Sequence, residues 1–216
     1  MKSPPFDQRL ARRLVQPLAR LPVTPNQITT LTLLLALAGA GLIATGGHGQ
    51  MNLGAGLFVL ARFLDHFDGE LARLKGASTR LGYYLDYLAG ALSYAALFVA
   101  MAFAFRASGL GSYAYVLGGI GAWAALCSML ANLGIDRVLA HHAAHGAESG
   151  AVGYPGWAGF ELEDGIYLLA PVTWLGWLYP FFVLAGLGAA IYCLWSFRAW
   201  FGLRGRSPTL AAGSER

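Results

Sequence analysis

Apolar stretches of membrane-spanning length recur along this chain, and they constrain its fold more than any other feature. They run approximately from Gln27 to Gly47, Leu53 to Leu64, Leu81 to Phe105, Tyr113 to Leu133, Gly159 to Trp177 and Tyr179 to Trp200. Five of the six reach the roughly 20 residues a bilayer requires. The second is short in its apolar part and is expected to continue as a polar helix into Arg73. Only 12% of the residues are charged, against about 25% in a soluble domain, so lipid must solvate much of the surface. Glycine is abundant, at 29 of 216 residues. Runs such as Gly39-Ala40-Gly41 and Gly118-Gly119-Ile120-Gly121 suit helices whose backbones approach closely in a membrane. The expected fold is therefore all-α: a polytopic membrane protein with six transmembrane helices preceded by an amphipathic interfacial helix.

That interfacial helix is read over residues 1–21. At about 3.6 residues per turn, Phe6, Leu10, Leu14, Leu18 and Leu21 share one face, and Arg9, Arg12, Arg13 and Arg20 the other. This pattern lies on an anionic lipid surface, with a kink expected at Pro17. Residues 27–200 then form the six-helix bundle and 201–216 a cytoplasmic tail, one membrane domain in all. No cleavable signal peptide is expected, since the first apolar run is long enough to span. With the amino terminus inside, thirteen Lys and Arg fall on cytoplasmic segments, only Arg106 falls outside, and Arg62 lies within the second helix. The positive-inside rule thus puts both termini in the cytoplasm. Thirteen Arg against two Lys, with the excess of Ala and Gly, goes with a GC-rich bacterial genome, so a bacterial inner membrane is the expected location. Cys127 and Cys193 sit in apolar runs and read as small hydrophobes rather than a disulfide. A homodimer is compatible with the Gly-rich faces, and no nucleic-acid partner is expected.

Chemistry concentrates at the ends of the second and third helices. Of eleven acidic residues, Asp65, Asp68 and Asp86 crowd one region. Asp65 and Asp68 are three apart and so project from one side of a helix, while Asp86 falls one turn inside the next. Carboxylates at a membrane edge are costly and usually mark function. Three converging carboxylates repel one another, and a divalent cation neutralises them most simply. All-oxygen ligation favours Mg²⁺ or Mn²⁺ over zinc. With Arg73 one turn on, and Gly69 and Gly82 opening space beside it, the group suits a phosphate or pyrophosphate ligand. An interfacial salt-bridge cluster that merely anchors the helix ends is the alternative.

The segment Asp65-His66-Phe67-Asp68-Gly69-Glu70-Leu71-Ala72-Arg73, followed after eight residues by Gly82-Tyr83-Tyr84-Leu85-Asp86, resembles the motif of the CDP-alcohol phosphotransferase family, D-x2-D-G-x2-A-R-x8-G-x3-D-x3-D. Seven of the eight fixed positions match at the family spacing. A Pro25-Asn26-Gln27-Ile28-Thr29 lead into the first span, the six helices and the amphipathic start extend the resemblance over most of the chain. It implies that Asp65, Asp68 and Asp86 ligate metal. It further implies that Gly69, Ala72, Arg73 and Gly82 hold the cytidine diphosphate of the donor. The implied reaction moves a phosphate-linked group from a CDP-alcohol to a small alcohol acceptor and releases CMP, with CDP-diacylglycerol the donor expected by analogy.

The eighth position departs from the motif: where the family has an aspartate that ligates metal and is the proposed base for the acceptor hydroxyl, this chain has Gly90. Glu161, Glu163 and Asp164 form the one other acidic cluster, at the start of the fifth span. Acids in a first helical turn favour the helix dipole without further role. The functional alternative makes Glu163 or Asp164 a replacement base, or a seat for a cationic acceptor, alongside Asp86 in the catalytic set. His141, His142 and His145 in the long cytoplasmic connection read as a loop cluster more than a metal site. Trp174, Trp177 and Tyr179 suit one interfacial belt, and the aromatics from Trp195 to Trp200 the other. Two other function classes remain beside the transferase: a catalytically impaired relative that binds nucleotide or lipid or supports a partner, and a transporter with an acidic ion site. The absence of an internal repeat argues against transport.

Overall fold

A computed structural model describes the backbone of residues 14–144, 156–157 and 160–205, and the side chains of 14–142 and 165–205. Six α-helices carry the fold: α1 Pro25–Ala44, α2 His48–Lys75, α3 Arg80–Ala104, α4 Tyr113–Ala144, α5 Leu169–Trp174 and α6 Leu178–Arg204. A two-residue ladder pairs β1, Gly156–Trp157, with β2, Phe160–Glu161, and a 3₁₀ turn over Leu162–Leu168 leads into α5. Four helices, α1, α3, α4 and α6, are long and apolar enough to cross a membrane, so the chain is an integral membrane protein. Along α6, Leu184, Leu187, Ile191 and Leu194 are all exposed at helical spacing, a face suited to lipid.

Local chemistry sets the helix starts. Pro25 opens α1, where its missing N–H costs nothing. A capping box closes that turn: the Thr24 hydroxyl accepts the Gln27 N–H at 3.3 Å and the Gln27 side chain accepts the Thr24 N–H at 2.8 Å. Thr79 caps α3 by accepting the Gly82 N–H at 3.0 Å. Gly76, at φ 59°, ends α2 in the left-handed conformation that favours glycine.

Helix α1 packs against both α2 and α3, α4 lies on α3, and α6 lies on α4. Small residues let α1 and α2 cross backbone to backbone. A Cβ at Gly39 would stand 2.6 Å from the Gly54 carbonyl oxygen, and one at Gly54 2.5 Å from that of Gly39. Ile43, Phe58, Leu97, Met101 and Phe182 fill the interior. A second cluster seats Val15 and Ile28 against Phe67 and Leu71 of α2. Lys75 fastens the same chain entry, donating to the carbonyls of Leu21 at 2.6 Å and Val23 at 2.7 Å. Of the segment expected as an interfacial helix, residues 1–13 lie outside the described residues, and Leu18–Arg20 forms a 3₁₀ turn after Pro17.

Two expected boundaries shift. The fifth apolar run, read as a continuous helix, is a 3₁₀ turn that becomes helical only at Leu169. Pro171 has no N–H to extend an α-helix back toward Tyr167, and it is tolerated in the first turn of α5. The connection expected from Gly134 is helical as far as Ala144. Gly134 acts there as a small contact surface occupied by the Trp200 ring, not as a helix breaker. His141 and His142 consequently lie on the last turn of α4, and His145 lies outside the described residues. Both cysteines are free thiols.

Candidate active site

The acidic motif occupies the last three turns of α2 and the first three of α3, and α1 positions its carboxylates. Asp65 and Asp68 are 8% and 6% exposed, whereas Asp86 is open to solvent. Buried carboxylates require hydrogen-bond donors, and two threonines of α1 supply them. The Thr29 hydroxyl donates to Asp68 Oδ2, and the Thr32 hydroxyl donates to Asp65 Oδ1 at 3.2 Å. The backbone N–H of Gly69 donates to the other Asp68 oxygen. Arg62, one turn before Asp65, pairs with its Oδ2 at 3.0 Å and lays its guanidinium over the Tyr94 ring, 5.1 Å from the centroid.

One oxygen from each of Asp65, Asp68 and Asp86 lies within 4.8 Å of the others. Arg62 pairs with one of the three carboxylates, that of Asp65. An all-carboxylate set fits a hard divalent cation, Mg²⁺ or Mn²⁺. The three residues picked from the spacing are thus brought together.

The remaining motif residues differ in what surrounds them. At Gly69 an added Cβ would meet only Arg73 Nη2, at 3.7 Å, so the backbone there is bare. Gly82 is closed in by α1: a Cβ would stand 2.8 Å from Asn26 Oδ1 and 3.1 Å from the Thr79 hydroxyl. Glycine at 82 therefore lets α1 and α3 approach. Ala72 is half-buried on α2, and Arg73 projects into solvent with Nη2 donating to Glu70 at 2.8 Å. Gly90 borders open space, its nearest neighbour being Arg62 Nη1, 3.9 Å from an added Cβ.

Two further contacts hold the site. Tyr83 and Tyr87 both donate to Asp136 Oδ2 of α4, at 2.8 and 2.6 Å, and Arg137 donates to Tyr84 at 3.2 Å. These bonds fix the turn of α3 that carries Asp86. His66 Nε2 lies 3.2 Å from the Tyr167 hydroxyl, which ties the 3₁₀ turn to α2 beside the motif. Glu163 and Asp164 belong to that turn, although their side chains, like that of Glu161, lie outside the described residues. No motif or spacing in the sequence marks Thr32, Arg62 or Asp136 as part of the site. An arginine inside an apolar run was the one available signal, since such a charge must find a partner.

Comparison with known proteins identifies both a family and a fold. A family model described as CDP-alcohol phosphatidyltransferase matches residues 22–200. A curated relative, the bifunctional IPC transferase and DIPP synthase of Rubrobacter xylanophilus, is 42% identical over 65 residues. That match covers 30% of this chain and only 14% of the relative's length. Among solved structures, Mycobacterium tuberculosis phosphatidylinositol phosphate synthase in complex with manganese and citrate is similar at a TM-score of 0.54, covering 94% of this chain and 93% of that one. The same enzyme with CDP-DAG bound gives 0.57, covering 92% and 98%. Both are 22% identical to this chain, a likeness of fold.

Proposed function

The chain belongs to the CDP-alcohol phosphatidyltransferase family, and on that premise we propose that it transfers a phosphoalcohol, a phosphatidyl group, from a CDP-linked lipid to an acceptor hydroxyl. The observation that carries the reading is the convergence of Asp65, Asp68 and Asp86 within 4.8 Å at the motif positions. The proposed donor is CDP-diacylglycerol, in keeping with the CDP-DAG-bound structural neighbour.

In this reading Asp65, Asp68 and Asp86 hold Mg²⁺ or Mn²⁺, which when bound would neutralise the pyrophosphate oxygens of the donor as charge develops on them. Gly69 and Ala72 leave the α2 surface low enough for the nucleotide to lie against it, with Gly82 completing the cradle on α3. Arg73, exposed and one turn past Asp68, donates to a phosphate in place of Glu70. Thr29, Thr32 and Arg62 hold the two buried carboxylates in orientation. The acceptor oxygen forms a bond to the phosphorus of the transferred group, the bond from that phosphorus to the CMP oxygen breaks, and CMP departs with the electron pair. With glycine at 90, the acceptor's proton passes to Glu163 or Asp164, on the turn that His66 and Tyr167 hold against α2.

The finer architecture belongs to the same proposal. One membrane domain spans six times, with α2 and the segment through α5 completing the four apolar spans, and an interfacial helix precedes them. Both termini and the site face the cytoplasm, as the distribution of Lys and Arg supports, and two copies associate through Gly-rich faces. The test is CMP release by purified protein supplied with CDP-diacylglycerol, Mn²⁺ and a panel of alcohols, with Asp68→Ala as the inactive control. Gly90 favours a second reading, a family member that binds nucleotide or lipid without turnover. Inert wild-type protein, together with donor turnover in Gly90→Asp, would establish that one.

A further inference from the structure

A cavity of about 430 Å³ begins at Gly90 and runs away from the acidic triad between α3, α4 and α6. Its α3 wall carries the stripe Gly90, Tyr94, Leu97 and Met101, at spacings of four, three and four, with Ala91 and Phe98 beside it. From Gly90 to Met101 the stripe rises eleven residue steps, roughly 16 Å at about 1.5 Å per residue. The volume falls in the usual range for ligand sites, about 300–1,000 Å³. Its polarity is graded. Asp136 of α4 meets Tyr83 and Tyr87 at the triad end of α3, and Gly118 lies against Ala102 at the far end. This antiparallel register puts Ser128 near the level of Tyr94, and the bond from Asn132 puts Tyr192 near the level of Gly90. The hydroxyls therefore cluster toward the triad, and the walls beyond are hydrocarbon and aromatic.

We propose that this cavity takes the hydrocarbon chain of the acceptor, so that the acceptor is an amphiphilic alcohol with its hydroxyl at Gly90 beside Asp86 and its chain along α3. The inference rests on the transferase reading and names its acceptor class, replacing the small alcohol expected from sequence. Direction decides that the occupant is the acceptor. Gly82, Asp86 and Gly90 line one stripe of α3 at four-residue intervals. In an in-line displacement the attacking and leaving oxygens lie on opposite sides of the phosphorus. With the departing nucleotide at the Gly82 end, attack comes from the Gly90 end, where an aspartate is absent and Gly90 lines the cavity. A polyol would find few partners past Tyr94, and its buried hydroxyls would go unsatisfied. A chain loses nothing there. The bond changes are those given above: an O–P bond to the alcohol forms, the P–O bond to CMP breaks, and the proton goes to the same base.

Gly188 lines the cavity on α6, and a Cβ there would meet nothing within 4 Å, so leucine can fill the cavity without disturbing its frame. Gly165, on the wall made by the 3₁₀ turn, is equally open and provides a second variant. Full-length protein in nanodiscs is assayed for CMP release from CDP-diacylglycerol with hexadecylglycerol or with glycerol, which share a head group and differ only in the chain. Wild type should prefer hexadecylglycerol by more than about 10-fold in kcat/KM, because even one methylene in an apolar pocket is worth about 10-fold or more. Gly188→Leu and Gly165→Leu should raise the KM for hexadecylglycerol by about 10-fold while leaving Mn²⁺-dependent CDP binding unchanged. Equal use of glycerol, or an unchanged KM in both variants, overturns the proposal. If no acceptor supports CMP release, the transferase reading fails, and a diazirine-bearing hexadecylglycerol decides the cavity separately. Crosslinks on the α3 and α6 walls that both variants abolish support an amphiphilic-alcohol site. No crosslinks there, or equal labelling by a diazirine phosphatidylcholine, overturns it.

Discussion

Arg62 and Gly90 face each other across the seam between α2 and α3, with Arg62 Nη1 standing 3.9 Å from the point where a side chain at 90 would begin. A carboxylate at 90 would reach that guanidinium. In its absence Arg62 pairs with Asp65 at 3.0 Å and stacks on Tyr94. The missing motif aspartate is thus accompanied by a cation paired with one of the clustered carboxylates and by a cavity that Gly90 lines.

Replacing Arg62 with Met should expose the cost of crowding carboxylates. Both partners are largely buried, at 15% and 9% side-chain exposure, and removing one member of a buried pair costs about 3–5 kcal/mol. The metal-free protein should melt earlier, and Mn²⁺ should raise the Tm of the variant more than that of wild type. Equal increments in the two proteins would show that Arg62 does not balance the triad.

Thr29→Val removes the hydroxyl donor to Asp68 while keeping a β-branched side chain in α1. Loss of a partner that orients a metal ligand typically lowers metal affinity about 10- to 100-fold, so Mn²⁺ binding should weaken by at least the lower figure. Thr30, whose hydroxyl bonds the Asn26 carbonyl on an exposed face, is the matched control. Thr30→Val should bind Mn²⁺ like wild type, and titration of both variants checks the pair.

Glu163→Gln and Asp164→Asn test where the acceptor's proton goes. Loss of a general base lowers turnover by about 10²–10⁴-fold, so one of these variants should lose CMP release on that scale with CDP affinity intact. Full activity in both would rule out a relocated base on the 3₁₀ turn.

The distribution of Lys and Arg predicts the sidedness of the site. A cysteine replacing Lys75 should react with impermeant maleimide only from the cytoplasmic side of sealed vesicles, and one replacing Ser108 only from the other. The opposite pattern would invert the topology.

The acidic site was largely legible in the sequence because its parts are local. Asp65 and Asp68 share a face of one helix, and Asp86 follows after a short turn, so spacing alone nearly places the carboxylates. Their support is non-local and was not legible: Thr29 and Thr32 reach Asp68 and Asp65 across 39 and 33 residues, and composition carries no trace of such pairings. The spans α1, α3, α4 and α6 announced themselves by length and hydropathy. The run before Trp177 misled because Pro171 blocks the backward extension of α5 that an unbroken apolar run suggests. Gly134 misled in the other direction, since a glycine that receives a Trp200 ring looks, in sequence, like a loop.

The central claim is that the three aspartates hold a cytidine nucleotide through a divalent cation, and calorimetry with CDP tests it most directly. Wild-type protein should bind CDP in the presence of Mn²⁺, lose that binding when EDTA is added, and show none when Asp68 is replaced by Ala. Binding that persists in EDTA, or that is equal in Asp68→Ala, would contradict the account.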